Sequence, residues 1–267
     1  MKRSPRGRRA VAAIAGGLDR ILEPLGWRTI PKKAVGTLER QLEEATKFGY
    51  YWHKAGKRID IREMEGFGPL SAKAVAEHRT GMRQDRLYTL WQAIAGLSSD
   101  APIVEVGAFQ GGSARFLGEA LQWHTRSNAF FVCDAFAGHA SVDEALDGGH
   151  RVGEQFVNTS LTSVQAYLAD LPNITLVEGD FMATSGRLEP QAPFAFVHLD
   201  VDVYPVMRHA LAFFAPRMQA GSLIVVDDYG FITCQGARRA VDEFAGAHAE
   251  FRFVHLLTGQ ALLVRLS

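Results

Sequence analysis

From residue 101 onward the chain repeats one pattern, a short apolar run that ends in an acidic residue or a glycine and is followed by a helix-length stretch. Such runs are expected as strands over 103–106, 129–133, 174–177, 194–199 and 223–226, with helices near 113–123, 154–168, 206–218 and 236–248. Pro205 suits the opening turn of the third of these helices. Strands joined through helices run parallel, and the helices then cover both faces of the sheet. The ending differs. Runs over 251–257 and 261–266 are separated only by Thr258, Gly259 and Gln260, too few residues for a crossover, so an antiparallel hairpin is expected there. Five helix-linked strands and this hairpin make an α/β fold around a seven-stranded, mostly parallel sheet.

The 267 residues allow one large domain or a domain with an extension, and 47% hydrophobic against 22% charged residues is enough apolar material for a packed core. Two cysteines, Cys133 and Cys234, exclude a disulfide framework and have no zinc-binding spacing, which makes a reducing cytoplasm the expected setting. No apolar run reaches the roughly 18 to 20 residues of a membrane span. The basic start, Lys2, Arg3, Arg6, Arg8 and Arg9, precedes a weakly apolar stretch that Asp19 and Arg20 cut short, so it is not read as a secretion signal. Residues 1–85, with Leu38, Leu42 and Ala45 at helical spacing, are expected as a basic, helical N-terminal extension, and residues 86–267 as the catalytic domain.

Formal net charge is zero, yet it is unevenly distributed. Residues 1–33 hold nine Lys or Arg against Asp19 and Glu23, whereas residues 34–267 hold 20 basic against 27 acidic residues. An acidic body offers no field for nucleic acid. The basic arm over 1–33 is expected to make any peripheral contact with anionic lipid or an acidic partner.

Three strand ends carry a nucleotide-type signal. Val104-Glu105-Val106-Gly107-Ala108-Phe109-Gln110-Gly111-Gly112-Ser113 runs from a strand through glycines into a helix, where bare backbone and free amides can face a ligand. Phe109 stands where a dinucleotide fingerprint needs glycine, which disfavours a nicotinamide oxidoreductase. Asp134 ends the second strand, where a carboxylate accepts from a ribose diol or else caps a helix. Asp180 and Phe181 follow the third strand, and Phe181 is as well suited to the core as to a ligand.

The fourth and fifth strands end in acid. His198-Leu199-Asp200-Val201-Asp202-Val203-Tyr204 and Val226-Asp227-Asp228-Tyr229 bring four carboxylates to one sheet edge, because neighbouring parallel strands end together. Strand alternation puts His198, Asp200 and Asp202 on one side. Four unpaired negative charges repel, and a divalent cation is the natural counter-ion. All-oxygen ligands favour a hard one, Mg²⁺ before Ca²⁺ or Mn²⁺. The loop over 137–153, rich in Gly, His and acidic residues, is long enough to be an acceptor lid, or else a surface excursion.

Together these motifs resemble the macrocin and mycinamicin O-methyltransferase family, metal-dependent class I methyltransferases that act mostly on sugar hydroxyls. The resemblance rests on Glu105 to Gly112, on Asp134-Ala135-Phe136-Ala137-Gly138, on Leu199 to Tyr204, on Asp227-Asp228-Tyr229-Gly230, on Gly236 to Phe244 and on Thr258-Gly259. It implies a Rossmann-like class I methyltransferase fold. It also implies S-adenosylmethionine contacts at Glu105, Gly107, Ala108, Phe109, Gly111, Asp134, Phe136, Asp180 and Phe181, Mg²⁺ at Asp200, Asp227 and Asp228, and Asp202 as general base. His198, His139 and His150 are alternative bases. The chain departs from the family at Phe109, where Trp is usual, at His198, where Arg is usual, and at Gly179-Asp180, where Gly-Trp is usual. A small-molecule or glycan acceptor and a homo-oligomer are the expected partners. A cephalosporin-hydroxylase or rhamnosyl O-methyltransferase relative and a non-catalytic glycan-assembly subunit are the alternatives.

Overall fold

The computed structural model describes residues 60–267, so the basic arm over 1–33 and the helical spacing at Leu38, Leu42 and Ala45 lie outside the described residues. Residues 60–267 belong to one compact unit. Two helices come first, α1 (Phe67–Ala76) and α2 (Gln84–Ala95). Then strands and helices alternate: β1 (Ile103–Val106), α3 (Gly112–Trp123), β2 (Phe130–Asp134), α4 (Leu161–Tyr167), β3 (Ile174–Glu178), the single turn α5 (Phe181–Thr184), β4 (Phe194–Leu199), α6 (Tyr204–Phe214), β5 (Met218–Val226) and α7 (Gln235–Ala247). The chain closes with β6 (Phe251–His255) and β7 (Ala261–Arg265).

The sheet has seven strands in the order β3-β2-β1-β4-β5-β7-β6. The first five are parallel, and β7 is antiparallel to both β5 and β6. The expected class I methyltransferase architecture is therefore the observed one. Strand order reverses beside β1, so the carboxyl ends of β1 and β4 flank the switch point where an open α/β sheet binds its ligand.

Both faces are buried, as parallel strands require. On one face Val104, Val197 and Leu199 meet Met207, Leu211 and Phe214 of α6 and Ala237, Val241 and Phe244 of α7. On the other, Ile103, Phe130 and Phe196 meet Phe116, Leu117 and Leu121 of α3, and also Phe67 of α1 and Leu87, Leu90, Trp91 and Ile94 of α2. The α2 residues recur at i, i+3, i+4 and i+7, one stripe of an amphipathic helix. Each such side chain contributes about 1.5–3 kcal/mol on leaving water. Residues 67–85, expected in the extension, thus share the core of the sheet domain.

The helix expected over 206–218 runs from Tyr204 only to Phe214, and two other elements differ from expectation as well. The helix expected over 154–168 starts only at Leu161, because Phe156 adopts a left-handed backbone (φ 58°) and Ser160 caps the helix by accepting from the Ser163 amide (3.2 Å). β5 begins five residues early, at Met218, and the extra length is absorbed by a register shift against β4 between Phe194 and Phe196. Among the described residues no helix is long and apolar enough to cross a membrane.

Candidate active site

A cavity of about 230 Å³ opens at the carboxyl edge of the sheet, and all five parallel strands deliver residues to it. Gly107, Ala108 and Phe109 follow β1, Asp134 ends β2, Asp180 and Phe181 follow β3, Asp200 and Asp202 follow β4, and Asp228 follows β5. Glu105, Gly111, Phe136 and Asp227 are not in its lining. Gly111 (φ 82°) sits where α3 begins, Phe136 is buried against the α1–α3 face, and Glu105 and Asp227 are completely buried beside the cavity residues.

The glycine turn after β1 is held very close to β4. Gly107 has φ 92°, and a Cβ on it would overlap the carbonyl oxygen of Asp200. Only glycine lets the two strand ends approach this closely. Asp134 fixes the same turn from the other side. One of its carboxylate oxygens accepts from the amides of Ala108 and Phe109, both at 2.8 Å, and the other accepts from Phe136 at 2.6 Å. Burial pushes the Asp134 carboxyl up, while these amides favour its charged form. Asp180 caps α5 by accepting from the Met182 amide, and Phe181 stacks on Phe214. Both still line the cavity.

The acidic half is less satisfied. Asp200, Asp227 and Asp228 each offer a carboxylate oxygen, all within 4.8 Å of one another. Burial, followed by Asp227 and Asp228, holds the Asp200 carboxyl well above its ordinary value. Asp228 is raised likewise by burial and by Asp202 and Asp227, and its Oδ2 is buried with no hydrogen-bond partner. Asp227 is the exception. Burial alone would raise it, but His198 and the Arg86 guanidinium outweigh burial and hold it low. Gln260 donates to its Oδ1 at 2.8 Å, and Arg86 forms an ion pair with its Oδ2.

His198 is fully buried between acids. Its Nδ1 lies 2.9 Å from Glu105 Oε1 and its Nε2 3.9 Å from Asp227 Oδ1. Burial opposes its charge, but Asp227 and Glu105 prevail and push its pKa up to about 10. The residue that departs from the family's usual Arg is thus a buried cation, not a free base.

Asp202 lies beside the metal-like trio, with a carboxylate oxygen within 4.8 Å of one of Asp228. Its backbone is left-handed (φ 57°), a strained state for a non-glycine residue that clusters at functional sites. Cys234 Sγ donates to its Oδ1 at 3.3 Å, and its Oδ2 lies 3.9 Å from His139 Nε2. Burial, and then Asp200, push its pKa up to about 7, the range of a general base at neutral pH. The loop over 137–153 reaches this place too. Gly138 and His139 line the cavity, and Asp147 anchors the loop by accepting from the Tyr204 amide at the start of α6 (2.8 Å).

Several participants escape a reading of the sequence. Arg79, Thr80, Met82 and Arg86 line the cavity from the segment before the sheet. Arg79 accepts from the Gly112 amide at 3.3 Å and donates to the Gln110 carbonyl at 2.8 Å, strapping the glycine turn. Nothing near these residues in sequence marks them. Gln260, in the hairpin turn, carried a faint signal only as a neighbour of Thr258-Gly259.

The donor set suits a hard divalent ion. Among the described residues, five carboxylates, Glu105, Asp200, Asp202, Asp227 and Asp228, face the half-buried Arg86 and the buried His198, and the Asp228 oxygen is orphaned. Buried Glu105 Oε2 also has no partner.

Residues 69–252 match the family model described as macrocin-O-methyltransferase (TylF). The mycinamicin III 3''-O-methyltransferase of Micromonospora griseorubida is 27% identical over 192 residues, 65% of this chain and 72% of that protein. An 8-demethyl-8-(2,3-dimethoxy-alpha-L-rhamnosyl)-tetracenomycin-C 4'-O-methyltransferase of Streptomyces olivaceus is 25% identical over 186 residues, 66% of this chain and 70% of that protein. In fold, the O-methyltransferase NovP superposes with a TM-score of 0.60 at 19% identity, over 86% of this chain and 99% of that one. With the family model spanning well over half its length, the chain belongs to the macrocin O-methyltransferase family and is an S-adenosylmethionine-dependent O-methyltransferase.

Proposed function

We propose that the enzyme methylates a hydroxyl of a sugar or glycosylated natural product, with Mg²⁺ held by Asp200, Asp227 and Asp228 and with Asp202 as general base. The observation that carries this reading is the orphaned, buried charge of the acidic half, which calls for a cation beside a carboxylate poised near neutrality. The name of one relative, which acts on a rhamnosyl-bearing tetracenomycin, supports the acceptor class.

S-adenosylmethionine supplies the methyl group, and a divalent ion held by the trio would supply a Lewis acid able to hold adjacent hydroxyls and make one more acidic. The remaining work falls to the chain. Gly107, Ala108 and Phe109, braced by Asp134, present backbone to the cofactor, with Gly111 and Phe136 shaping that turn. Glu105, turned from the cavity, holds His198 from behind, and Asp180 and Phe181 border the adenine side. Asp202 is placed to accept the acceptor hydroxyl's proton, and the loop over 137–153 keeps water from that oxygen. His198 stays protonated and keeps Asp227 ionised and oriented.

The test compares methyl transfer to glycosides that carry two neighbouring hydroxyls with transfer to matched deoxy-glycosides that lack one. Turnover on the diol, lost with the chelator and restored by Mg²⁺, is expected. Equal turnover on both acceptors in the chelator overturns the reading.

A further inference from the structure

A second cluster, outside the trio, lies where the loop over 137–153 meets Asp202. His139, His150 and Asp202 each present one ligand atom, all within 4.8 Å of one another. His139 Nε2 lies 3.1 Å from His150 Nδ1 and 3.9 Å from Asp202 Oδ2. Two nitrogens bound about 2.0–2.1 Å from a tetrahedral ion stand about 3.3 Å apart, so the imidazole pair is already spaced as ligands. The tautomer of His150 is set by its other contact, and His139 Nε2, the donor across the 3.1 Å contact, would give up that proton to a bound ion. His150 Nε2 is 3.1 Å from the Thr233 carbonyl, which only accepts, so that nitrogen carries the proton and Nδ1 presents its lone pair to the cluster. A ligating histidine is typically held by such a carbonyl.

We propose that His139, His150 and Asp202 form a second cation site, selective for a borderline ion of the Zn²⁺ class over Mg²⁺, and that filling it withdraws Asp202 from the acceptor.

Selectivity follows from the donors. Imidazole nitrogens suit Zn²⁺ and its neighbours, whereas the all-oxygen trio suits a hard ion. Burial, reinforced by His150, pulls His139 down to about 4, so it remains a neutral ligand at neutral pH. The site is built rather than incidental. Asp147 and His150 tether the loop to the starts of α6 and α7, and the His139 ring is packed edge-on against His150 and Phe156. Because His139 and Asp202 line the cavity, the remaining coordination position faces the acceptor space. The inhibitory part rests on Asp202 being the base, and the binding part does not.

The full chain is titrated with Zn²⁺, and with Co²⁺ as a visible probe, in excess Mg²⁺. One ion per chain is expected to bind despite Mg²⁺. X-ray absorption of the Zn²⁺-loaded wild type should show imidazole scattering. H139N should weaken binding about tenfold or more, whereas D200N, which lacks a ligand of the trio, should retain it. Zn²⁺ that Mg²⁺ displaces, an all-oxygen shell in the absorption spectrum, or affinity unchanged in H139N overturns the site. The spectrum needs no variant, so a misfolded H139N leaves the test intact. Bound Zn²⁺ should also suppress methyl transfer at saturating Mg²⁺. Zn²⁺ seated on the histidines with turnover intact upholds the site and tells against Asp202 as base.

Discussion

The two halves of the active site solve opposite problems. At the ends of β1 and β2 the backbone is pinned, because Asp134 satisfies three amides and Gly107 allows the turn to touch β4. At the ends of β4 and β5 charge is left over. Asp200, Asp202 and Asp228 are all raised above the ordinary carboxylate range, and an Asp228 oxygen has no partner. A half that is complete by itself can receive a cofactor without rearranging. A half that is incomplete stores its unfavourable charge until a ligand arrives. The contrast separates what shape does here from what electrostatics does.

The largest expected effect lies in the charged half. Asp202→Asn keeps the volume and removes the base, so turnover should fall about 10²–10⁴-fold while Mg²⁺ affinity, read by calorimetry, persists. Equal loss of both would assign Asp202 to the metal instead. In the pinned half, Gly107→Ala should cost about 2 kcal/mol or more in urea unfolding, since a Cβ strains the turn and displaces the Asp200 carbonyl. Asp228→Asn should do the opposite to the metal-free protein, raising its stability by about 1 kcal/mol while abolishing the gain from Mg²⁺. If both substitutions destabilise alike, the two halves do not differ as described.

A smaller effect concerns pH. A carboxyl whose folded pKa exceeds the ordinary 3.8 binds its proton more tightly folded than unfolded, so its contribution is complete below 3.8 and disappears as pH climbs. Asp202, Asp200 and Asp228 all act in this sense, with Asp202 completing its loss near 7. His139, pulled down to about 4, and Asp227, held low by His198 and Arg86, oppose them. The thermal midpoint of the metal-free protein should therefore decline from acid to neutral pH, and Mg²⁺ should flatten the decline.

Strand ends were legible because an apolar run followed by Asp or Gly has few other uses, and convergence of neighbouring parallel strands then placed Asp200, Asp202, Asp227 and Asp228 together. Long-range partners were not. Arg86 reaches Asp227 across 141 residues of sequence, and nothing local to it differs from an ordinary helix arginine. Cofactor positions divide in the same way. Gly107, Ala108, Phe109 and Asp134 face the cavity, but strand alternation turns Glu105 towards His198, a pairing that the chemistry of neither residue announces. The late start of α4 was hidden by Phe156, whose left-handed backbone no propensity predicts, although Ser160 was a readable cap.

The central claim is that the acidic half is completed by a hard divalent ion. Calorimetric titration of Mg²⁺ into the full chain, with Asp200→Asn beside it, tests this directly. The account predicts one ion per wild-type chain, a higher thermal midpoint on binding, and affinity reduced about tenfold or more in the variant. No heat and no stabilisation with Mg²⁺, Mn²⁺ or Ca²⁺ would contradict it.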